Sequence, residues 1–155
     1  MPRNAGRTAR SATRDIPVSG APPRFRVLVV EDEAVSAVYF EDILSGFGCE
    51  VVAIADTAPR AIAAAEEHRP DLVLIDVRLR EGDGIEAATA IRDRLGIPFI
   101  LATAYSDAHT RERVAAARPL EYLDKPVRLS MIQRTLEKAE ALIAGAKLQA
   151  SPLPT

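Results

Sequence analysis

Acidic, hydroxyl and ammonium side chains recur at four places in this chain, each directly after a short apolar run: Glu31-Asp32-Glu33, Asp76, Thr103 and Asp124-Lys125-Pro126. Gathered in one crevice, the carboxylates of Glu31, Asp32 and Asp76 would repel one another. A hard divalent cation relieves that repulsion, and an all-oxygen donor set suits Mg2+. Lys125 offers a compact positive charge on a flexible stem, suited to a phosphate oxygen. Thr103 offers a hydroxyl donor. Metal, ammonium and hydroxyl around one carboxylate make a site for an incoming phosphoryl group. Asp76 is then the candidate nucleophile, forming an aspartyl phosphate. The cation and Lys125 would offset charge in the transition state. A single acid at a strand end is ordinarily a solvated loop group or a helix cap. The case therefore depends on a fold that brings all four places together.

The hydrophobic pattern predicts such a fold. Phe25–Val30 is apolar and β-branched, as a strand buried on both faces is. Ala34–Ser45 has apolar groups at helical spacing, stopped by Gly46 and Gly48. Strands follow at Glu50–Ala55, Asp71–Ile75, Ile97–Ala102 and Leu120–Leu123. Helices are expected at Pro59–His68, which Pro70 ends, and at Gly84–Leu95, with Gly96 as C-terminal cap. Two more are expected at Asp107–Ala117, opened by Ser106, and at Arg128–Ala144. Strict β–α alternation builds a parallel sheet with helices on both faces. The reading is an α/β, flavodoxin-like, doubly wound (βα)5 fold with a five-stranded sheet of order 2-1-3-4-5. In such open sheets the active crevice lies outside the carboxyl ends of the strands, where all four polar places stand.

Composition narrows the function further. A net charge of −2 gives no electrostatic footing for nucleic acid or a membrane surface. The apolar runs are strand-sized, too short to span a bilayer. The N-terminus lacks the apolar centre of a signal peptide, so a cytoplasmic location is expected. Cys49 is the single cysteine and reads as a small core residue. Residues 1–24 carry five arginines against one acid, with four prolines, and read as a disordered basic tail. Weak contact with an acidic partner or a lipid surface is the alternative use of that tail. Residues 145–155, with Pro152 and Pro154, read as a flexible end. His68 and His109 read as surface residues, since neither has a partner at ligand spacing. Gly82 and Gly84 read as turn glycines, because the P-loop pattern is absent.

These residues closely resemble the receiver domain of two-component response regulators. The match is carried by Val29-Val30-Glu31-Asp32-Glu33, Leu74-Ile75-Asp76, Gly82-Asp83-Gly84-Ile85-Glu86, Thr103-Ala104 and Lys125-Pro126, and it covers residues 25–144. The resemblance implies that Glu31, Asp32 and Asp76 bind Mg2+, with the backbone carbonyl of Arg78 as a further ligand. It implies Asp76 as phosphoryl acceptor and Thr103 and Lys125 as the groups that sense and hold the phosphoryl. It implies Tyr122 as an aromatic that changes rotamer on activation, and a cis bond before Pro126. A histidine kinase or histidine phosphotransfer protein would be the donor. Nothing resembling an output domain follows residue 144, so a separate downstream protein would be the target. A phosphorylation-dependent homodimer is left open.

Several positions set this chain apart. Glu31 stands where Asp is the commoner family choice, and its extra length suits a metal contact through water. Arg78 and Tyr105, each two residues beyond a key group, are placed to modulate the lifetime of the phosphoryl. Pro98 to Tyr105 resembles the FATGUY subgroup, which usually has Gly where Ala104 stands. The first helix has apolar groups on more than one face, at Val35, Ala37, Val38, Tyr39 and Phe40, which reads either as a surface for a kinase or phosphotransfer helix or as ordinary scattered exposure. Two rival readings differ in class. One is a receiver-like binding module without phosphorylation, which the intact acids, Thr103 and Lys125 argue against. The other is a small Mg2+-dependent phosphotransferase. Such enzymes usually carry a general acid two residues after the nucleophile, where this chain has Arg78, so the chain is read as no enzyme.

Overall fold

The computed structural model describes residues 22–104 and 107–150. The expectations for the tail through residue 21, for Tyr105 and Ser106, and for residues 151–155 lie outside the described residues. Ten elements alternate: β1 (Arg26–Val30), α1 (Ala34–Gly46), β2 (Glu50–Ala55), α2 (Ala58–His68), β3 (Leu72–Asp76), α3 (Gly84–Leu95), β4 (Phe99–Thr103), α4 (Ala108–Ala117), β5 (Glu121–Asp124) and α5 (Leu129–Ala150). All strands pair in parallel in the order β2-β1-β3-β4-β5, the expected topology.

Side chains alternate across each strand, so the central strands feed two cores. Leu28, Val30, Val73, Ile75, Phe99 and Leu101 face one side, covered by small or branched groups of α2, α3 and α4 such as Ala61, Ala65, Ala88 and Ile91. Val27, Val29, Leu72, Leu74, Ile100 and Leu123 face the other, covered by α1 and α5 through Phe40, Leu44, Ile132 and Leu136. This two-sided burial explains why β1, β3 and β4 read as unbroken apolar runs.

Strand ends differ from the expectation by a residue or two, and always toward the crevice. Strands expected to stop at Ile75, Ala102 and Leu123 continue through Asp76, Thr103 and Asp124. The reason is the ladder: Asp76 pairs with Ala102, and Thr103 with Asp124. A polar side chain is acceptable there because its backbone is still hydrogen-bonded. Three helix starts follow capping chemistry. Thr57, Asp83 and Asp107 each accept from a backbone N–H in the first turn of α2, α3 and α4. Asp107 is thus the cap of α4 rather than its first residue.

Two boundaries move outward. Arg24, assigned to the tail by composition, is held by the α1–β2 turn and by α5. Its N–H donates to the Gly48 carbonyl at 2.7 Å, and its guanidinium grips both oxygens of Glu140 at 2.7 and 3.0 Å. The final helix runs past Ala144 to Ala150. The segment after Gly145 is rich in good helix formers, which absorb the cost of one glycine.

Candidate functional site

The carboxyl ends of β1, β3, β4 and β5 meet at one edge of the sheet. β1 hands over to Glu31, whose N–H donates to Ala55 at 2.9 Å and extends the β1–β2 ladder by one residue. Glu31 is 3% exposed and Asp76 8%, so both carboxylates are largely removed from water. Lys125, just past β5, reaches across to them. Its Nζ lies 2.6 Å from Glu31 Oε1 and 2.8 Å from Asp76 Oδ2. Its own N–H donates to the Thr103 carbonyl at 3.0 Å, so the β4–β5 pairing sets where the lysine starts. The Lys125–Pro126 peptide is cis.

The remaining carboxylate oxygens are also engaged. Asp76 Oδ1 accepts from the Arg78 N–H at 3.1 Å, and Glu31 Oε2 from the Glu33 N–H at 3.3 Å. Glu33 itself turns outward and accepts from the Ser36 hydroxyl at 3.2 Å. It therefore stands apart from the acid cluster. Oxygens of Glu31, Asp32 and Asp76 all lie within 4.8 Å of one another. Among the described residues the Lys125 ammonium is paired with two of these three carboxylates, Glu31 and Asp76, so it does not balance their charge. A hard cation with oxygen ligands fits that donor set on chemistry.

Electrostatics agree with this picture. Burial pushes the Glu31 carboxyl above the ordinary glutamate range, the Lys125 hydrogen bond opposes the shift, and the Asp76 charge adds to it. Burial pulls on Lys125 in the opposite sense. Hydrogen bonds to Asp76 and Glu31 outweigh it, and the ammonium is held above its usual value. Lys125 is therefore charged throughout the neutral range.

The other sequence candidates fall around this cluster. Thr103 ends β4 wholly buried. Tyr122 sits opposite Leu101 in the β4–β5 ladder, half-buried against the α2–α3–α4 core. Arg78 follows the acceptor with its side chain largely exposed. Tyr105 lies outside the described residues. On α1, Val35, Val38 and Tyr39 are exposed while Phe40 is buried. Tyr39 is not simply solvated, since its hydroxyl donates to the Val127 carbonyl at 2.6 Å and ties α1 to the β5–α5 loop.

One residue's weight was missed by the sequence reading. At Gly84 a Cβ would stand 1.9 Å from the Asp76 carbonyl oxygen. The Gly84 N–H donates to the Val77 carbonyl at 2.9 Å. No other side chain fits so close to the acceptor's backbone. A partial signal was present: Asp83 with Glu86 three residues on is helix-start chemistry, which puts Gly84 at the first helical position. Its approach to Asp76 is a tertiary contact and left no local trace.

Residues 27–137 match the response regulator receiver domain. The chain is 38% identical over 119 residues to the transcriptional regulatory protein PdtaR of Mycobacterium tuberculosis, covering 77% of this chain and 58% of PdtaR. It is also 38% identical over 116 residues to ZraR of Salmonella typhimurium, covering 74% of this chain and 26% of ZraR. It thus spans less than two thirds of either relative. Among solved structures, the signal receiver domain of a modulated diguanylate cyclase from Desulfovibrio desulfuricans superposes with a TM-score of 0.73 at 32% identity, covering 81% of this chain and 98% of that one. The receiver domain of Erythrobacter litoralis PhyR gives 0.67 at 28% identity, covering 84% and 96%. With its strand order, its acid cluster at the strand ends and these matches, the chain belongs to the response regulator receiver family.

Proposed function

We propose that this protein accepts a phosphoryl group on Asp76 from a histidine kinase or histidine phosphotransfer protein and passes the signal on by contact with a separate protein. The observation that carries the reading is the bridging of Asp76 and Glu31 by Lys125 at the meeting point of the strand ends. In the transfer, the N–P bond of the donor phosphohistidine breaks and an O–P bond to Asp76 forms. The electron pair stays on the imidazole nitrogen, which takes up a proton. Asp76 is the nucleophile. Lys125 is within reach to leave its carboxylate partner for a phosphoryl oxygen. Thr103, buried at the end of β4 on the other side of β3 from β1, would supply a hydroxyl. Glu31, Asp32, Asp76 and the Arg78 carbonyl would hold Mg2+, which supplies neutralising charge for the transferring group when bound.

Phosphorylation then shifts the population between two states through contacts made only with the phosphoryl group. Thr103 and Tyr122 would report it to the face formed by α4, β5 and α5. Among the described residues no helix is long and apolar enough to cross a membrane, and a cytoplasmic site of action fits a kinase donor. The test is incubation with acetyl phosphate and Mg2+. Wild type should gain the mass of one phosphoryl group on the peptide containing Asp76, and Asp76→Asn should gain none. Equal labelling of both, or of neither, would overturn the assignment.

A further inference from the structure

The loop after the acceptor is joined to α4 by two ion pairs of opposite polarity, which the phosphorylation chemistry does not require. Arg78 Nη2 lies 4.0 Å from Asp107 Oδ2, and Asp83 Oδ2 lies 2.8 Å from Arg113 Nη2. Arg78 and Asp83 are themselves bridged through their backbones, so the loop between them is closed into one unit. Each aspartate has a second task. Asp83 Oδ1 caps α3 by accepting from Glu86 at 3.0 Å, and Asp107 Oδ1 caps α4 by accepting from Thr110 at 2.7 Å.

The two clasps differ in strength. The Asp83–Arg113 pair is short, with side chains 31% and 32% exposed, whereas Arg78 and Asp107 are 57% and 58% exposed and at the outer limit of pairing distance. Long, exposed pairs contribute little net stability, so little is lost when Arg78 leaves Asp107. Arg78 also lies two residues from Asp76, with its N–H already on Asp76 Oδ1. A phosphoryl on Asp76 would carry close to two negative charges and three acceptor oxygens, against one charge on Asp107.

We propose that Arg78 is a transferable clasp: it holds the Asp107 cap of α4 in the unphosphorylated protein and leaves it for the phosphoryl group on Asp76. The Asp83–Arg113 pair stays closed and acts as the pivot. Release loosens the first turn of α4 while its later turns remain anchored. The phosphoryl group is thereby read by α4 through the Arg78 side chain. The inference rests on Asp76 being the acceptor.

The test is hydrogen exchange of α4 amides in the full chain, with and without acetyl phosphate and Mg2+. The phosphorylated fraction is measured by mass in the same samples. In wild type, first-turn amides of α4 should exchange about two- to fivefold faster on phosphorylation, the range matching loss of one exposed ion pair. Asp107→Asn keeps the cap, since Asn caps as well as Asp, but lacks the charge. Asp107→Asn and Arg78→Gln should both exchange faster before any donor is added, with the phosphorylation-dependent change lost. The double variant should match either single one. Arg113→Gln should raise basal exchange yet keep the phosphorylation-dependent change. A change of full size in Arg78→Gln and Asp107→Asn, normalised to phosphorylated fraction, overturns the clasp. Absence of phosphorylation in wild type instead overturns the acceptor assignment.

Discussion

Replacing Lys125 by Met removes the cation that bridges Glu31 and Asp76. Its ammonium sits 2.6 and 2.8 Å from their oxygens, and Glu31 is almost wholly buried. Methionine has nearly the length of the lysine stem, so packing near the Phe40 ring, 6.0 Å from Nζ, is kept. What is lost is charge compensation. Removing one partner of a buried pair costs about 3–5 kcal/mol, because the other charge stays in a poorly solvated place. Glu31 can escape part of that by taking up a proton, so a loss of about 3 kcal/mol at neutral pH is expected. It should appear in urea as a lower midpoint with an unchanged slope.

The pH dependence gives the sharper check. Burial holds the Glu31 pKa above its ordinary value, and the Lys125 hydrogen bond pulls it back. Without Lys125 the folded-state value climbs further. A carboxyl with a raised folded-state pKa binds more protons folded than unfolded between its two values, so stability increases as pH falls through that window. The window opens at the ordinary glutamate value and extends upward to the raised one. The penalty of Lys125→Met should therefore shrink on going from neutral to about pH 5. At the alkaline end the wild type should lose its advantage. Its lysine pKa is raised in the fold, so that contribution is complete below the ordinary lysine value and fades as pH climbs through the folded one. A penalty below about 1 kcal/mol, the value of an exposed pair, or one identical at both lower pH values, would refute the reasoning.

The other predictions concern the frame around the site. Mg2+ should raise the wild-type melting temperature and EDTA reverse it by linkage, whereas Asp32→Asn should abolish most of that shift in thermal scans. Gly84→Ala puts a methyl against the Asp76 carbonyl; a stability loss of about 3 kcal/mol from overpacking and poor labelling by acetyl phosphate should be seen together. Leu136→Ala, at a wholly buried position under the sheet, should cost about 3 kcal/mol in urea unfolding while leaving labelling at Asp76 intact in the fraction still folded.

Much of this protein was legible from residue order alone. The alternation of β-branched runs with helical stripes specifies the doubly wound sheet, because burial on both faces demands unbroken apolar strands. The acids, Thr103 and Lys125 could be placed at strand ends, and open α/β sheets put strand ends in one crevice. Caps such as Asp83 were readable as local chemistry. Tertiary structure decided the rest. Ladder pairing, which no single strand contains, carries β3, β4 and β5 onto Asp76, Thr103 and Asp124. Arg24 looked like tail because its partners, Gly48 and Glu140, are remote in sequence. Gly84 looked like any turn glycine until the Asp76 carbonyl was seen against it. The pairing of Lys125 with Glu31 as well as Asp76, and of Arg78 with the cap of α4, depends on side-chain reach across elements. Sequence order names the chemistry available at the crevice; distances and burial decide which charges meet there.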